Sequence, residues 1–270
     1  NKLKIQSEFG RNVLTLMTGS TLAQAIPIAI SPILTRIYTP EDFGVFALYA
    51  AAASILSIAA TGRYELAIML PKKESDAFSI TVLSVVVAAL LSAISFIIVL
   101  KFNNDIARFL GSLSLKNWLY LLPLSIFLSG LYQALNYWNN RGKEYTNIAL
   151  SKVSQSVGGG AAQLAVGYGA SLPSGLIVGS IFGQGVGVLA LLRASKKTIS
   201  AQFSHFAFSE LKSNAKKYRK FPLFSSWSAL LNTSAVQMPV FIIAKYFGAS
   251  ITGLFSFTFK VISVPMTLVS

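Results

Sequence analysis

The 270-residue chain contains no cysteine, a single histidine (His205) and only nine acidic residues. Without cysteine there is neither a disulfide nor thiol chemistry. One histidine is too few for a histidine-based metal site, and it lies in a basic stretch, away from any apolar run that could hold a Ser-His-Asp triad. No G-x-x-x-x-G-K-[ST] loop occurs, so the chain does not hydrolyse ATP through a P-loop. Charged residues make up 12% of the chain, against about 25% in an average soluble domain. Six runs of 20 to 40 residues carry no Asp, Glu, Lys or Arg: 12–35, 43–62, 77–100, 117–140, 153–192 and 221–244. A helix needs roughly 20 apolar residues to cross the ~30 Å hydrocarbon layer. The composition, 53% hydrophobic with a mean hydropathy of +0.61, therefore predicts an all-α polytopic membrane protein.

The run 153–192 would be ~60 Å long as one helix, and the glycines and proline of 167–173 place a turn in its middle. A last apolar stretch, 251–270, is interrupted by Lys260. About eight spans result: 12–37, 43–62, 77–100, 117–139, 146–167, 173–193, 223–245 and 251–270. Lys2, Lys4 and Arg11 followed by Ala23-Gln24-Ala25 have the form of a signal peptide, but the apolar run continues to Ile37, as in a retained first span. The chain begins without Met and stops within an apolar run, which leads us to expect a fragment of a longer protein.

Net charge is +14, and the cations sit in short loops between spans, which points to orientation against anionic lipid and not to nucleic acid. With the N-terminus in the cytoplasm, 16 Lys and Arg fall inside and 5 outside, Lys152 and Lys260 lying within spans. The longest and most basic loop, 194–222, spaces Phe206, Phe208, Leu211, Ala215 and Tyr218 at near-helical intervals. It reads either as an amphipathic surface helix or as a solvated linker.

A short internal repeat appears at a shift of 209 residues. Arg36-Ile37-Tyr38 falls on Lys245-Tyr246-Phe247, and Gly44-Val45-Phe46-Ala47-Leu48 on Gly253-Leu254-Phe255-Ser256-Phe257. The repeat divides the chain into a six-helix lobe, 1–193, a cytoplasmic basic connector, 194–222, and the first two helices of a second, parallel lobe, 223–270. Parallel repeats of this kind are a transporter architecture.

Polar residues recur on one face of several spans: Thr18, Thr21, Gln24, Ser31 and Thr35; Lys152, Gln155, Gly159 and Gln163; Ser226, Thr233 and Gln237. Such stripes either hydrogen-bond to neighbouring helices or line a wet cavity. A lysine at the centre of a span costs at least ~2.5–3.5 kcal/mol. Lys152 lies near a cytoplasmic end and can either snorkel or bind substrate, whereas Lys260 lies near mid-membrane, where a cavity role is favoured. Arg63 and Glu65 end the second span; two apart on a helix they would not face one another, so each needs a partner elsewhere. They read as a structural clamp at a cytoplasmic mouth or as ligand contacts. Gly175, Gly179, Gly183 and Gly187 suggest close helix packing. Gly158-Gly159-Gly160 suggests a bend or hinge, and Pro27, Pro32, Pro123, Pro239 and Pro265 are further possible kinks.

The segment LTRIYTPEDFGVFAL at 34–48, followed by RYELA at 63–67, resembles the polysaccharide-biosynthesis transporters, including the O-antigen flippases of the multidrug/oligosaccharidyl-lipid/polysaccharide exporter superfamily. Residues 217–265 resemble that family's seventh and eighth spans. The resemblance implies movement of undecaprenyl-pyrophosphate-linked oligosaccharide from the inner to the outer leaflet of the bacterial inner membrane by alternating access, in the synthesis of O-antigen, capsule or exopolysaccharide. It implies no enzymatic activity and no cofactor or metal. Its implied partners are the lipid-linked oligosaccharide, membrane lipids and a polysaccharide polymerase. The chemistry of a pyrophosphate and sugar hydroxyls suits Lys152, Lys260, Gln24, Gln155, Gln163 and Gln237 as substrate contacts, with Arg36, Arg63 and Glu65 at the mouths.

Three other functions compete. A membrane glycosyltransferase or polymerase needs acids or a large outer loop, and Glu41, Asp42 and Asp105 are the only acids in the short outer loops. A cation-coupled drug exporter needs a buried carboxylate, for which Glu65 is the single candidate. A non-transporting scaffold is disfavoured by the intramembrane lysines.

Overall fold

A computed structural model of the chain describes residues 2–169, 174–203 and 208–269, with side chains for 10–169, 175–203 and 210–262. His205, Phe206 and residues 170–173 of the turn expected at 167–173 lie outside the described residues, and 167–169 are the last residues of a helix. Among the described residues every regular element is helical. Six helices are long and apolar enough to cross a membrane, with windows 10–37, 40–58, 74–109, 113–141, 175–203 and 221–262.

Helix α1 (Lys2–Ile37) passes to α2 (Pro40–Ile58) through two residues. Asp42 N–H donates to Thr39 Oγ1 at 3.3 Å, and Thr39 N–H donates to the Asp42 carboxylate at 2.9 Å. This reciprocal capping box, with Pro40 in the first turn, fixes the start of α2 and is worth ~1 kcal/mol. At its far end the chain turns through left-handed Gly62 and Arg63 (φ 59° and 60°) into a 3-10 turn, Tyr64–Met69. Helix α3 (Glu74–Phe109) follows, interrupted at Phe102. A 3-10 segment (Leu113–Leu121) leads into α4 (Leu122–Arg141).

Helices α5 (Tyr145–Gly169) and α6 (Ser174–Phe203) form the most extensive helix pair within the first six passes, and α1 packs on the other side of α5. Glycine explains both contacts. A Cβ at Gly183 would come within 2.6 Å of the Gln155 carbonyl, and one at Gly160 within 2.7 Å of Ile30. The expected hinge at 158–160 is not formed: α5 runs through these glycines as one helix. Neighbours on both sides hold it straight, and the missing side chains let them approach. Nor do the prolines interrupt their helices. Pro27, Pro32 and Pro239 lie in continuous helix and Pro123 opens α4.

The short helix α7 (Phe208–Lys217) lies in the basic connector and packs on α3. Tyr64 donates its hydroxyl to the Ala215 carbonyl at 3.2 Å, Asn214 is buried, and Lys212, Lys216 and Lys217 face outward. A π-helical turn (Phe221–Ser225) opens α8 (Ser226–Val269). As one rod the 44 residues of α8 would span ~66 Å. Gly248 (φ 82°, ψ 174°) breaks the helix into two limbs, both alongside α2. With the two limbs of α8 counted separately, the described residues hold eight long helical segments where eight spans were expected, and α5 is not among the six helices apolar enough to cross a membrane.

One apolar cluster runs along α2, and a second sits at the connector end. Val45, Leu48 and Tyr49 of α2 pack with Leu115, Leu119, Ile126 and Ile177, and Tyr49 shares a 2.7 Å hydrogen bond with Ser125. At the connector end, Tyr64, Ile68, Phe78 and Trp138 form the second cluster. The α1–α2 turn, Gly111 and Gly248 lie together at the other end, called here the loop end.

Candidate functional site

A cavity of about 490 Å³ lies between α1, α2 and both limbs of α8. Most of its wall is apolar, including Ile28, Leu34, Phe46 and Val240. Its polar lining residues are Ser31, Ser54, Gln237, Ser256 and Lys260. Ser31 and Ser54 spend their hydroxyls on their own helices, donating to Ile28 O at 2.7 Å and Ala51 O at 3.0 Å. The Ser256 hydroxyl is buried with no hydrogen-bond partner among the described residues. Lys260 is the one charged lining residue among those described, and its side chain is accessible. The cavity can thus take an amphiphile: an apolar chain against most of the wall and an anionic group at Lys260.

Of the six residues expected to contact substrate, Lys260 and Gln237 lie on this wall. Lys152 does not join them. Its ammonium donates to Ser20 Oγ at 3.0 Å across the α5–α1 contact, where Ser156 also donates to Ala23 O at 2.7 Å. Among the described residues the cavity lining holds Lys260 and not Lys152. Gln155 and Gln163 are built into the α5–α6 contact: Gly183 and Gly187 pack against Gln155, Gln163 Nε2 donates to Leu176 O at 3.3 Å, and the Gln163 main-chain carbonyl accepts from Tyr38 Oη at 2.6 Å. This polar stripe joins helices. Gln24 is half-buried on α1, outside the cavity lining, and Arg36 is exposed in the last turn of α1.

Arg63 and Glu65 overturn two expectations. They pair with each other at 3.5 Å, because the left-handed turn at 62–63 and the 3-10 winding replace α-helical geometry. Glu65 is also fully buried, not at an open mouth. The Thr61 hydroxyl donates to its carboxylate. Desolvation pushes the Glu65 pKa above its ordinary value, opposed by the Thr61 hydrogen bond, a backbone hydrogen bond and the Arg63 charge. Arg141 braces the same corner by donating to Ile68 O at 3.0 Å and Pro71 O at 2.6 Å. Neither residue belongs to the cavity lining.

Sequence reasoning missed Phe43, Phe257 and Ser256. The two rings meet edge to face at 5.8 Å between centroids and line the cavity. Phe257 and Ser256 lie within the repeated segment, so the repeat was the signal that could have found them. Among the described residues no group of His, Cys, Asp and Glu could hold a metal ion.

No curated protein and no solved structure matches the chain. The family described as polysaccharide biosynthesis protein matches residues 33–270, from the end of α1 through the cavity-lining limbs of α8. The chain is a multi-pass membrane protein of the polysaccharide biosynthesis protein family.

Proposed function

We propose that the protein is a flippase that moves undecaprenyl-pyrophosphate-linked oligosaccharide from the inner to the outer leaflet of the bacterial inner membrane by alternating access. It sits with its N-terminus in the cytoplasm. Residues 1–193 act as one lobe, 194–222 as the connector and 223–270 as the start of a second lobe. A surface-polysaccharide polymerase consumes the product outside. The observation that carries this reading is Lys260 on the wall of a largely apolar cavity between α1, α2 and α8, in a polysaccharide biosynthesis protein.

Placing an ammonium at membrane depth costs at least ~2.5–3.5 kcal/mol. An anionic ligand group offsets that cost, and a mobile point charge suits a pyrophosphate that must be bound and then released. The apolar wall suits the isoprenoid chain, while Gln237 and Ser256 offer hydrogen bonds to sugar hydroxyls. Lys152, Gln155 and Gln163, given their helix-to-helix partners, are read as structural.

The test is complementation of a flippase-deficient strain, with analysis of the lipid-linked glycan that accumulates. The chain in its full-length protein should relieve the accumulation, Lys260→Gln should restore it at normal protein level, and Lys260→Arg should retain part of the activity. Normal transport by Lys260→Leu would falsify the role of Lys260.

A further inference from the structure

The repeated segments touch one another. A Cβ on Gly44 would land on the Ala249 carbonyl oxygen, and a Cβ on Gly253 would land on the Pro40 carbonyl oxygen, 2.8 Å from Gly44 N. Ala249 and Gly253 are the equivalents of Pro40 and Gly44 at the 209-residue shift. The contact is therefore reciprocal: Gly44 meets the equivalent of Pro40, and the equivalent of Gly44 meets Pro40. Two like surfaces related by a two-fold axis contact each other in this way. A chance sequence match has no reason to give it.

Gly253 at this crossing also lies on the cavity wall. Phe43 and Phe257 meet edge to face beside it, and both line the cavity. A third close approach lies at the same end: a Cβ on Gly111 would come within 2.9 Å of Lys245 N. At the connector end the π-helical turn before α8 meets the first lobe, with Pro222 near Gly62 and Phe221 against the Tyr64 cluster. Ser54 and Lys260 line the cavity, and α1 barely touches α8.

We propose that the reciprocal crossing of α2 and α8 at Gly44 and Gly253 is the outer gate of the transport cavity, and that this structure is the state shut outside and open toward the cytoplasm. The inference rests on the transporter reading and on an N-terminus in the cytoplasm, which puts the loop end outside. Helices that approach to backbone contact can part as rigid bodies with little side-chain repacking, since glycine presents none. A Cβ at either glycine is incompatible with the shut state and costs nothing once the helices separate. The gate also accounts for where the repeat is strongest. The segments that must fit each other keep their glycines, while the cavity walls diverge around one asymmetric ligand.

The native absence of cysteine gives a clean background for the test in the full-length protein. Val261→Cys on the cavity wall, where the native side chain is exposed, is labelled with a membrane-impermeant maleimide, from outside in intact cells and from inside in inverted vesicles. Labelling should be strong from inside and weak from outside. Adding Gly44→Ala or Gly253→Ala should raise outside labelling by roughly tenfold, the scale of shift that overpacking one contact produces. Unchanged labelling in a folded, monodisperse variant overturns the gate, as does strong labelling from outside with none from inside. With the glycines intact, spin labels at Glu41→Cys and Ser250→Cys should report two separations, one short and one long. A single separation with and without lipid-linked oligosaccharide also overturns it. None of these readouts requires transport. A gate that opens in a protein that moves no lipid-linked oligosaccharide leaves this inference standing and removes the substrate reading.

Discussion

At the residue scale the two intramembrane lysines part company. Both interrupt apolar stretches, and a linear sequence shows only that. Lys152 has a hydroxyl partner across a helix crossing, whereas Lys260 lies on a cavity wall. Lys152→Met should accordingly leave transport near wild type and lower thermal stability modestly, by about 1 kcal/mol for the lost bond and its stranded partner. Lys260→Gln should do the opposite, and a paired transport and melting assay separates the two. Glu65 makes a further prediction. Burial raises its pKa in the folded state above the unfolded value near 4.5. The folded state then binds the proton more tightly, so its contribution to stability is complete below that value. It is lost as pH rises through the raised pKa. Melting in detergent should fall over that window above 4.5, and Glu65→Gln should flatten the slope. A pH slope identical in the variant would assign it to other groups. The Arg63–Glu65 pairing was illegible in the sequence because spacing rules assume a regular helix, and nothing in R-Y-E announces a left-handed arginine.

At the element scale the glycines divide by what stands opposite them. Gly183 faces the Gln155 carbonyl and Gly159, whereas Gly185, two residues on in α6, faces open space. Gly183→Val should destabilise the protein by about 1–3 kcal/mol through overpacking. Gly185→Ala should be neutral or stabilising by up to ~1 kcal/mol, since alanine is the better helix former. Melting temperatures of the two variants read this directly, and equal effects would show that the α5–α6 contact is not close-packed. The helices themselves were legible, because charge-free runs of bilayer length admit little else. The α2 start was legible too, in Thr39-Pro40-Glu41-Asp42. The role of Gly158-Gly159-Gly160 was not. Glycine weakens an isolated helix, and only the presence of α1 and α6 on either side turns that weakness into close packing.

At the scale of the whole molecule a cavity, a cation and a helix crossing come together. Orientation should follow the cations, so a cysteine at Ser75 should react with an impermeant reagent only from the cytoplasmic side. The repeat was visible in the sequence as a cation and a G-x-F pattern, yet its meaning was not, because contact between the two copies is a property of the folded chain. The most direct test of the central claim is reconstitution of the full-length protein in vesicles loaded on one leaflet with undecaprenyl-pyrophosphate oligosaccharide. An enzyme added outside then modifies whatever glycan reaches the outer leaflet. Glycan should appear outside only with the protein present, an appearance abolished by Lys260→Gln and partly kept by Lys260→Arg. Transfer no faster than in protein-free vesicles, or transfer unchanged by Lys260→Gln, would contradict the claim.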